Sequence, residues 1–352
     1  MRAVAARLLV VLLGVLASLA LAGPAQAHVG GGAAGSDFDA RIVSVSPAVP
    51  GLTVRVLQFG DELEVVNSGD VDVLVPGYSD EPYLRIGPDG VWRNRNSPAT
   101  WLNLDRYGKA AADLPEGVDA AAEPEWEQVS TESAYVWHDH RTHWMTEGLL
   151  PPLVAASPDE PHTVSEWTVP MQVDGRDVAV DGVLTWNPPP SPWTVWPAYV
   201  AIALVAVAAG LLLPGPRPLG WLLLVGGGAA LWHAAATPEP ASSLGSHAGA
   251  LAAAFFPALT AAAVAVVGWM AARRGRGVMT GLMALTLAWL LLVQGLPDVD
   301  VLWTAHVLSN GPEWLARIAV ALLVALGAGL VGGGAAAVRR FREPHPTSAP
   351  TA

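Results

Sequence analysis

The sequence VAVDGVLTWNPPPSPWTVWPAYVAIALVAVAAGLLL, residues 178–213, decides the architecture because its character changes twice. Residues 178–186 largely alternate apolar and polar side chains, which is the period of a strand with one buried face. The proline-rich stretch that follows is typical of an extended, stiff spacer. The run from Trp196 to Leu213 is long and apolar enough to cross a bilayer. We therefore predict a β domain over 28–187, a linker over 188–195 and a membrane domain over 196–338.

The composition agrees with a chain that has one part in water and one in lipid. Of its 352 residues, 52% are hydrophobic and 14% are charged, which excludes a purely water-soluble globular protein. Between His28 and Trp193 there are 26 acidic and nine basic residues, whereas the rest of the chain has ten basic and five acidic ones. The acidic domain argues against a nucleic-acid partner. The absence of cysteine excludes disulfides, thiolate metal sites and cysteine nucleophiles.

The N-terminus has the pattern of a secretory signal peptide. Arg2 and Arg7 precede an apolar run, and Ala25 and Ala27 frame a cleavage site. We predict that residues 1–27 are removed and that His28 becomes the first residue of the mature chain. The alternative is an uncleaved N-terminal anchor, for which the apolar run is short.

Five later apolar runs are long enough to span a membrane. They are Trp196 to Leu213, Leu219 to Ala236, Ala248 to Ala272, Gly277 to Leu296 and Trp314 to Val338. Arginines flank alternate connections, so the positive-inside rule places those connections and the tail over 339–352 in the cytoplasm. The same rule places the β domain outside. We predict a multi-pass protein of the cell membrane, with lipid as one partner, an extracytoplasmic N-terminal domain and a cytoplasmic C-terminus.

The outer domain contains short runs rich in β-branched residues, each closed by a turn former. The predicted strands are Arg41 to Val45, Leu52 to Phe59, Leu63 to Val66, Val71 to Val75, Tyr83 to Ile86, Thr163 to Val173 and Val178 to Trp186. Short strands at this spacing favour an all-β sandwich. The alanine-rich, acidic stretch over 109–128 predicts a surface insertion of loop or short helix.

The candidate chemistry lies in YVWHDHRTHWM, residues 135–145. Residues i and i+2 of a strand share a face, so His138 and His140 point the same way. His143 falls on the other face unless the chain bends after His140. Neutral imidazole suits copper, zinc and nickel, and Cu²⁺ is bound most tightly at an unstrained nitrogen site. We predict a copper site, with zinc as the alternative metal.

His28 is the other candidate ligand. After cleavage, its α-amino group and its ring nitrogen can chelate one metal ion together. Such a chelate, combined with a distant imidazole, is a histidine brace. With His138 and His140 it would supply three imidazoles and one amine.

Two short motifs carry a resemblance to known copper proteins. An N-terminal histidine ahead of a sandwich that opens RIVSVSP, residues 41–47, resembles the periplasmic copper-resistance C-type proteins. The segment WHDH, residues 137–140, is similar to the W-H-x-H segment in the cupredoxin-like domain of the particulate methane monooxygenase B subunit. There an N-terminal histidine and both histidines of the H-x-H hold copper, so the resemblance implies His28, His138 and His140 as ligands.

The sequence leaves several alternatives open. Asp139 and Arg141 predict an ion pair within a hydrogen-bonded ladder that needs no metal. His162 is expected at the surface. His233, His247 and His306 lie near helix ends, where separate hydrogen bonding is a simpler interpretation than a second metal or proton site.

The functional hypotheses assign different roles to the β domain. No G-x-S-x-G, H-E-x-x-H or Ser-His-Asp arrangement is present, so we expect no enzyme activity. The leading hypothesis is a membrane-anchored extracytoplasmic protein that binds copper on a cupredoxin-like or immunoglobulin-like sandwich, for copper acquisition, delivery or tolerance. Its helices either anchor the domain or pass the ion inward. One alternative is a metal-free sandwich that binds a protein partner in an envelope complex, and another is a copper-dependent oxygenase subunit.

Overall fold

The computed structural model describes residues 34–107, 114–242 and 245–342. Within them, a β-rich region is followed by long apolar helices. The strands are β1 (Gly35–Ser36), β2 (Phe38–Ser46), β3 (Leu52–Leu57), β4 (Glu62–Asn67), β5 (Val73–Pro76), β6 (Pro82–Gly87), β7 (Gly90–Asn94), β8 (Trp126–Ser130), β9 (Ala134–His138), β10 (His162–Val173), β11 (Arg176–Trp186) and β12 (His306–Val307). The helices are α1 (Pro98–Leu102), α2 (Pro152–Ala156), α3 (Pro192–Leu211), α4 (Arg217–Ala235), α5 (His247–Arg273), α6 (Gly277–Gly295) and α7 (Glu313–Arg340).

The β domain consists of two antiparallel sheets that share one core. The larger sheet has the strand order β2-β11-β10-β5-β6-β7-β8, and the smaller has the order β3-β4-β9. Leu63 and Val65 of the small sheet and Leu84 and Val169 of the large sheet are fully buried in the same apolar cluster. The predicted all-β domain is therefore confirmed.

The long hairpin β10–β11 explains why the pattern at 178–186 is so clear. Val178, Val180, Leu184 and Trp186 are buried, and the residues between them on the other face are not. This alternation places one face of β11 on the core, as predicted. The strand pairs with β10 over its whole length and with β2 on its other edge.

The region predicted as an insertion contains a strand that the sequence analysis missed. Residues 109–113 lie outside the described residues, and residues 114–125 are irregular. Strand β8 then occupies Trp126–Ser130 at the edge of the large sheet, paired with β7. In this edge strand Trp126 and Val129 are only partly buried and Glu127 and Gln128 are exposed, so it shows little hydrophobic alternation.

Helices α3 to α7 are each long and apolar enough to cross a membrane, so the five predicted spans are confirmed as helices. Helix α3 begins at Pro192, four residues before the predicted span, so the non-helical connection covers 187–191. Because the helices alternate in direction, the connections over 236–246 and 296–312 lie on the side of the β domain. Arg217, Arg273 and Arg340 are at the opposite end of the bundle.

The β domain is attached to the helices by more than the linker. Strand β1 pairs with β12 in the connection between α6 and α7. Asp37 accepts a hydrogen bond from the Ala305 amide at 2.8 Å. On the other side of the domain, Arg55 donates to the Pro240 carbonyl at 3.2 Å in the connection between α4 and α5. These contacts fix the end of the sandwich that contains Phe38 and Trp186 against the helical bundle.

Candidate metal site

The three histidines of the 135–145 segment lie at the end of β9, where the chain leaves the small sheet. His138 is the last residue of the strand and pairs with Glu62 of β4. The prediction that His140 occupies the same strand is wrong, because the chain turns at Asp139. The Thr142 amide and hydroxyl both donate to the Asp139 carbonyl, at 3.2 and 2.8 Å, which closes the turn.

This turn brings all three rings together. His138, His140 and His143 each offer a ring nitrogen, and these nitrogens lie within 4.8 Å of one another. The ring centroids are 5.3 Å apart for His138 and His140, and 4.6 Å apart for His138 and His143. Ligand nitrogens on one ion lie about 3–4 Å apart because metal–nitrogen bonds are about 2 Å long, so small side-chain rotations suffice. The bend that His143 needs is present and begins one residue earlier than predicted.

One nitrogen of each ring faces a backbone carbonyl, and this contact defines the tautomer. Nε2 of His140 donates to the Asp105 carbonyl at 2.8 Å, and Nδ1 of His143 donates to the Trp144 carbonyl at 3.1 Å. Nε2 of His138 is 3.4 Å from the Arg106 carbonyl. A carbonyl can only accept, so the other nitrogen of each ring keeps its lone pair. Second contacts of this kind orient metal-binding histidines in known sites.

His143 has a buried ring nitrogen that no hydrogen bond satisfies. Its side chain is buried, and its Nε2 atom has no hydrogen-bond partner. A buried polar atom without a partner costs roughly 1–3 kcal/mol. A metal ion bound by the three rings would satisfy this nitrogen.

The electrostatic environment keeps the rings of His138 and His143 neutral. Burial, together with the smaller effect of the neighbouring His138, lowers the pKa of His143 to about 4. Burial also lowers the pKa of His138, although its contact with the Arg106 carbonyl opposes this. Both rings are therefore uncharged at neutral pH. Only the neutral ring can donate its lone pair to a metal, so protons do not compete at that pH.

On the other side of the 135–145 segment, Asp139 and Arg141 form an ion pair. Asp139 is buried and receives both arms of the Arg141 guanidinium, at 2.8 and 2.6 Å, and the Trp137 indole N–H at 2.8 Å. Burial alone would raise the pKa of Asp139, but Arg141 and Trp137 hold it below its usual range. The predicted Asp139–Arg141 ion pair is therefore confirmed. It lies beside the histidine cluster, so the ladder and the cluster coexist.

Tyr78 supports His140 from a second direction. Its hydroxyl accepts the His140 amide at 3.0 Å and donates to the Asn103 side chain, and its ring stacks on the imidazole at 5.7 Å between centroids. The Arg141 guanidinium lies 5.2 Å from the same ring. Burial raises the pKa of Tyr78, so its hydroxyl stays protonated and keeps donating. The imidazole of His140 is thus held by contacts with Tyr78 and Asp105.

Gly60 allows the turn to approach the small sheet. Its φ of +116° lies in the region that favours glycine, and an added Cβ atom would lie 2.6 Å from the Thr142 carbonyl oxygen and 2.7 Å from Ala40 Cβ. The Thr142 hydroxyl also donates to the Gly60 carbonyl. This close contact fixes the position of His143 one residue later.

A cavity of about 340 Å³ adjoins the cluster on the side of His143. Its lining residues are Ser36, Phe38, Phe59, Asp61, Arg106, Tyr107, His143, Trp144, Thr146, Gly148, Leu149 and Leu150. Asp61 and Arg106 form an ion pair at 2.5 Å across it. Burial raises the pKa of Asp61 to about 6, against the opposing effect of Arg106.

His28, the fourth predicted ligand, lies outside the described residues. Ser36, eight positions later, lines the cavity that His143 also lines.

The remaining predicted histidines have separate partners. His162 contacts Ser157. His233 pairs with Asp298 at 3.1 Å, and Nε2 of His306 meets the Asn187 amide at 2.8 Å. Among the described residues, only His138, His140 and His143 form a group of three that could share an ion. The separate hydrogen bonding expected for the histidines at the helix ends is therefore observed.

The sequence analysis missed the supporting residues. Tyr78, Asn103 and the carbonyls of Asp105 and Arg106 all come from loops distant in sequence. Every residue has a backbone carbonyl, so no sequence pattern predicts which carbonyls accept these hydrogen bonds.

Comparison of the chain with protein-family models, with curated proteins and with solved structures finds no match.

Proposed function

We propose that this chain is a membrane-anchored extracytoplasmic copper-binding protein that acts in copper acquisition, delivery or tolerance. The observation that carries the proposal is the histidine cluster, in which three nitrogens lie within 4.8 Å and His143 Nε2 is buried without a partner. The alternative interpretation, a packing ladder, accounts for Asp139 and Arg141. It gives no role to the three imidazole rings whose nitrogens lie close together.

The donor set favours copper over the other divalent metals. Three imidazole ligands without a carboxylate suit copper or zinc, and in the Irving–Williams order Cu²⁺ binds most tightly at such a site. Three histidines and one further position also match the ligand set of catalytic zinc. Zinc therefore remains the competing metal in the test below.

Metal content and Cu²⁺ binding of the purified full-length protein test the proposal. We expect a single copper ion per chain after equilibration and desalting, with nitrogen hyperfine structure in the electron paramagnetic resonance spectrum. His143→Phe should lose this copper, whereas the matched control His162→Ala, in the same domain, should keep it. A wild-type chain that retains neither copper nor zinc would overturn the proposal.

The contribution of His28 needs its own variant. One alanine inserted ahead of His28 keeps every side chain but separates the free amine from the histidine ring. If the brace is formed, the cleaved variant binds Cu²⁺ more weakly than the cleaved wild type. Equal affinity would remove His28 and leave His138, His140 and His143 as the ligands.

The proposed orientation is tested by reporter fusions. Arginines lie at the end of the bundle opposite the β domain, and this end is cytoplasmic under the positive-inside rule. A reporter fused after Pro344 should therefore report the cytoplasm. If a reporter at that position lies outside the cytoplasm, the proposed orientation and the proposed extracytoplasmic location of the metal site are wrong.

A further inference from the structure

Three exposed leucines lie at the end of the β domain that faces the helical bundle. Leu149, Leu150 and Leu153, which we call the leucine patch, are 67%, 40% and 55% exposed. They belong to the segment that follows the histidine turn, and Val154 anchors this segment because it is fully buried. Contiguous exposed apolar side chains mark a contact surface in soluble and membrane proteins alike.

Hydrogen bonds and strand register determine which end of the domain holds the patch. The Trp186 indole donates to the Pro158 carbonyl at 3.2 Å, and Trp186 pairs with His162 and with Phe38. Trp186 is the last residue of β11, from which the chain passes to α3. The segment that contains the patch therefore lies at the membrane end of the sandwich.

The cavity beside His143 gives a second, independent placement. Leu149 and Leu150 line it together with Ser36 and Phe38. Ser36 pairs with His306 in the connection between α6 and α7. Among the described residues, none of the helical domain lines this cavity, and both leucines are exposed, so they are next to the bundle and not covered by it.

The neighbouring tryptophans mark the level of the membrane surface. Trp193, at the start of α3, is 89% exposed, and Trp314, at the start of α7, is 64% exposed. Exposed tryptophans at the ends of membrane helices are typical of the interface between lipid and water. Six residues lie between Trp186 and Trp193, so the chain holds the membrane end of the sandwich within about 25 Å of this belt.

We propose that the leucine patch inserts into the surface of the bilayer that holds the five helices, as a second membrane contact of the β domain. The partner is the lipid surface. Glu147, Asp159 and Glu160 around the patch are exposed and acidic, so lipids whose headgroups carry no net charge fit best. The mouth of the cavity beside His143 is then located at the membrane surface. This inference does not depend on the identity, or the presence, of a metal.

The chain has no cysteine, so single labels can be introduced without further changes. The probe is Leu150→Cys carrying an environment-sensitive fluorophore, in the full-length protein reconstituted into phosphatidylcholine nanodiscs. The matched control is Leu74→Cys, because Leu74 is 38% exposed but pairs with Gln172 at the far end of β10. We expect the label at 150 to emit at shorter wavelength and to be quenched several-fold more by nitroxide-labelled phosphatidylcholine than the label at 74.

Two results would overturn the inference. If the labels at 150 and 74 respond alike, the patch faces water. If the label at 150 shifts to shorter wavelength but lipid nitroxides do not quench it, protein covers the patch, either a second copy or residues 28–33. Leu153→Cys repeats the measurement on the same patch, so that a local disturbance at 150 does not decide the outcome.

Discussion

Two groups of three histidines differ in how their ring nitrogens are paired. At the β-domain end of the helices, His233 pairs with Asp298, His306 with Asn187 and His247 with the Thr237 carbonyl. At the end of β9, by contrast, the rings face one another, and each uses one nitrogen on a carbonyl. Histidines that have separate partners stabilise connections between elements. Histidines whose ring nitrogens converge have the arrangement that a shared metal ion requires, and residue type alone does not separate these cases.

The largest expected difference between the two groups is in metal affinity. His140→Ala or His143→Phe removes one of three ligands, so we expect Cu²⁺ affinity to fall by at least about 100-fold, the upper range for loss of supporting residues. His247→Ala should leave the affinity unchanged. Competition titration against a chelator measures both. A comparable loss in the His247 variant would contradict the distinction between the groups.

The second difference concerns stability of the metal-free protein at low pH. The pKa of His143 is about 4 in the folded chain, below the value of about 6.5 in unfolded chains. The unfolded state therefore binds more protons between these values, and stability present above about pH 6.5 is lost as the pH falls toward 4. The loss is at most about 3 kcal/mol at 1.36 kcal/mol per pH unit.

Thermal unfolding of the detergent-solubilised protein across this pH range measures the effect. His143→Phe has no ring to protonate, so its stability should depend less on pH over the same window. Identical pH profiles for wild type and variant would show that His143 is not the titrating group.

The third prediction tests the group at the helix ends. His233→Gln breaks the pair with the buried Asp298 carboxylate, so we expect unfolding to become easier by about 1–3 kcal/mol. Metal affinity should not change. If the His233→Gln variant kept wild-type stability but lost its copper, His233 would belong to the binding site, which would contradict the distinction between the two groups.

The smallest predicted effect concerns Tyr78. Tyr78→Phe keeps the ring that stacks on His140 but removes the hydroxyl that accepts its amide and donates to Asn103. We expect Cu²⁺ affinity to fall by about tenfold, as for other residues that orient a ligand. A matched change at Tyr135→Phe, in β9 but outside the cluster, should have no such effect. If both variants bind like the wild type, the imidazole of His140 is positioned without Tyr78.

The fold could be predicted where the chain repeats a period against a uniform environment. Strand β11 alternates buried and open positions, and the five membrane helices are long apolar runs. The alternation arises because one face of the sheet is buried. The apolar runs arise because the helices must cross a hydrocarbon layer. Strand β8 was missed because its exposed edge position places neither requirement on its side chains.

The sequence by itself determined that a β domain precedes five membrane helices and that histidines are concentrated at 138–143. Only the tertiary structure decided that His143 joins His138 and His140. The turn at Asp139 depends on Thr142, on the space left by Gly60 and on the buried pair with Arg141. The position of each ring depends on carbonyls and on Tyr78 from other loops. Such contacts form between residues far apart in the chain, so the local pattern of apolar and polar residues does not predict them.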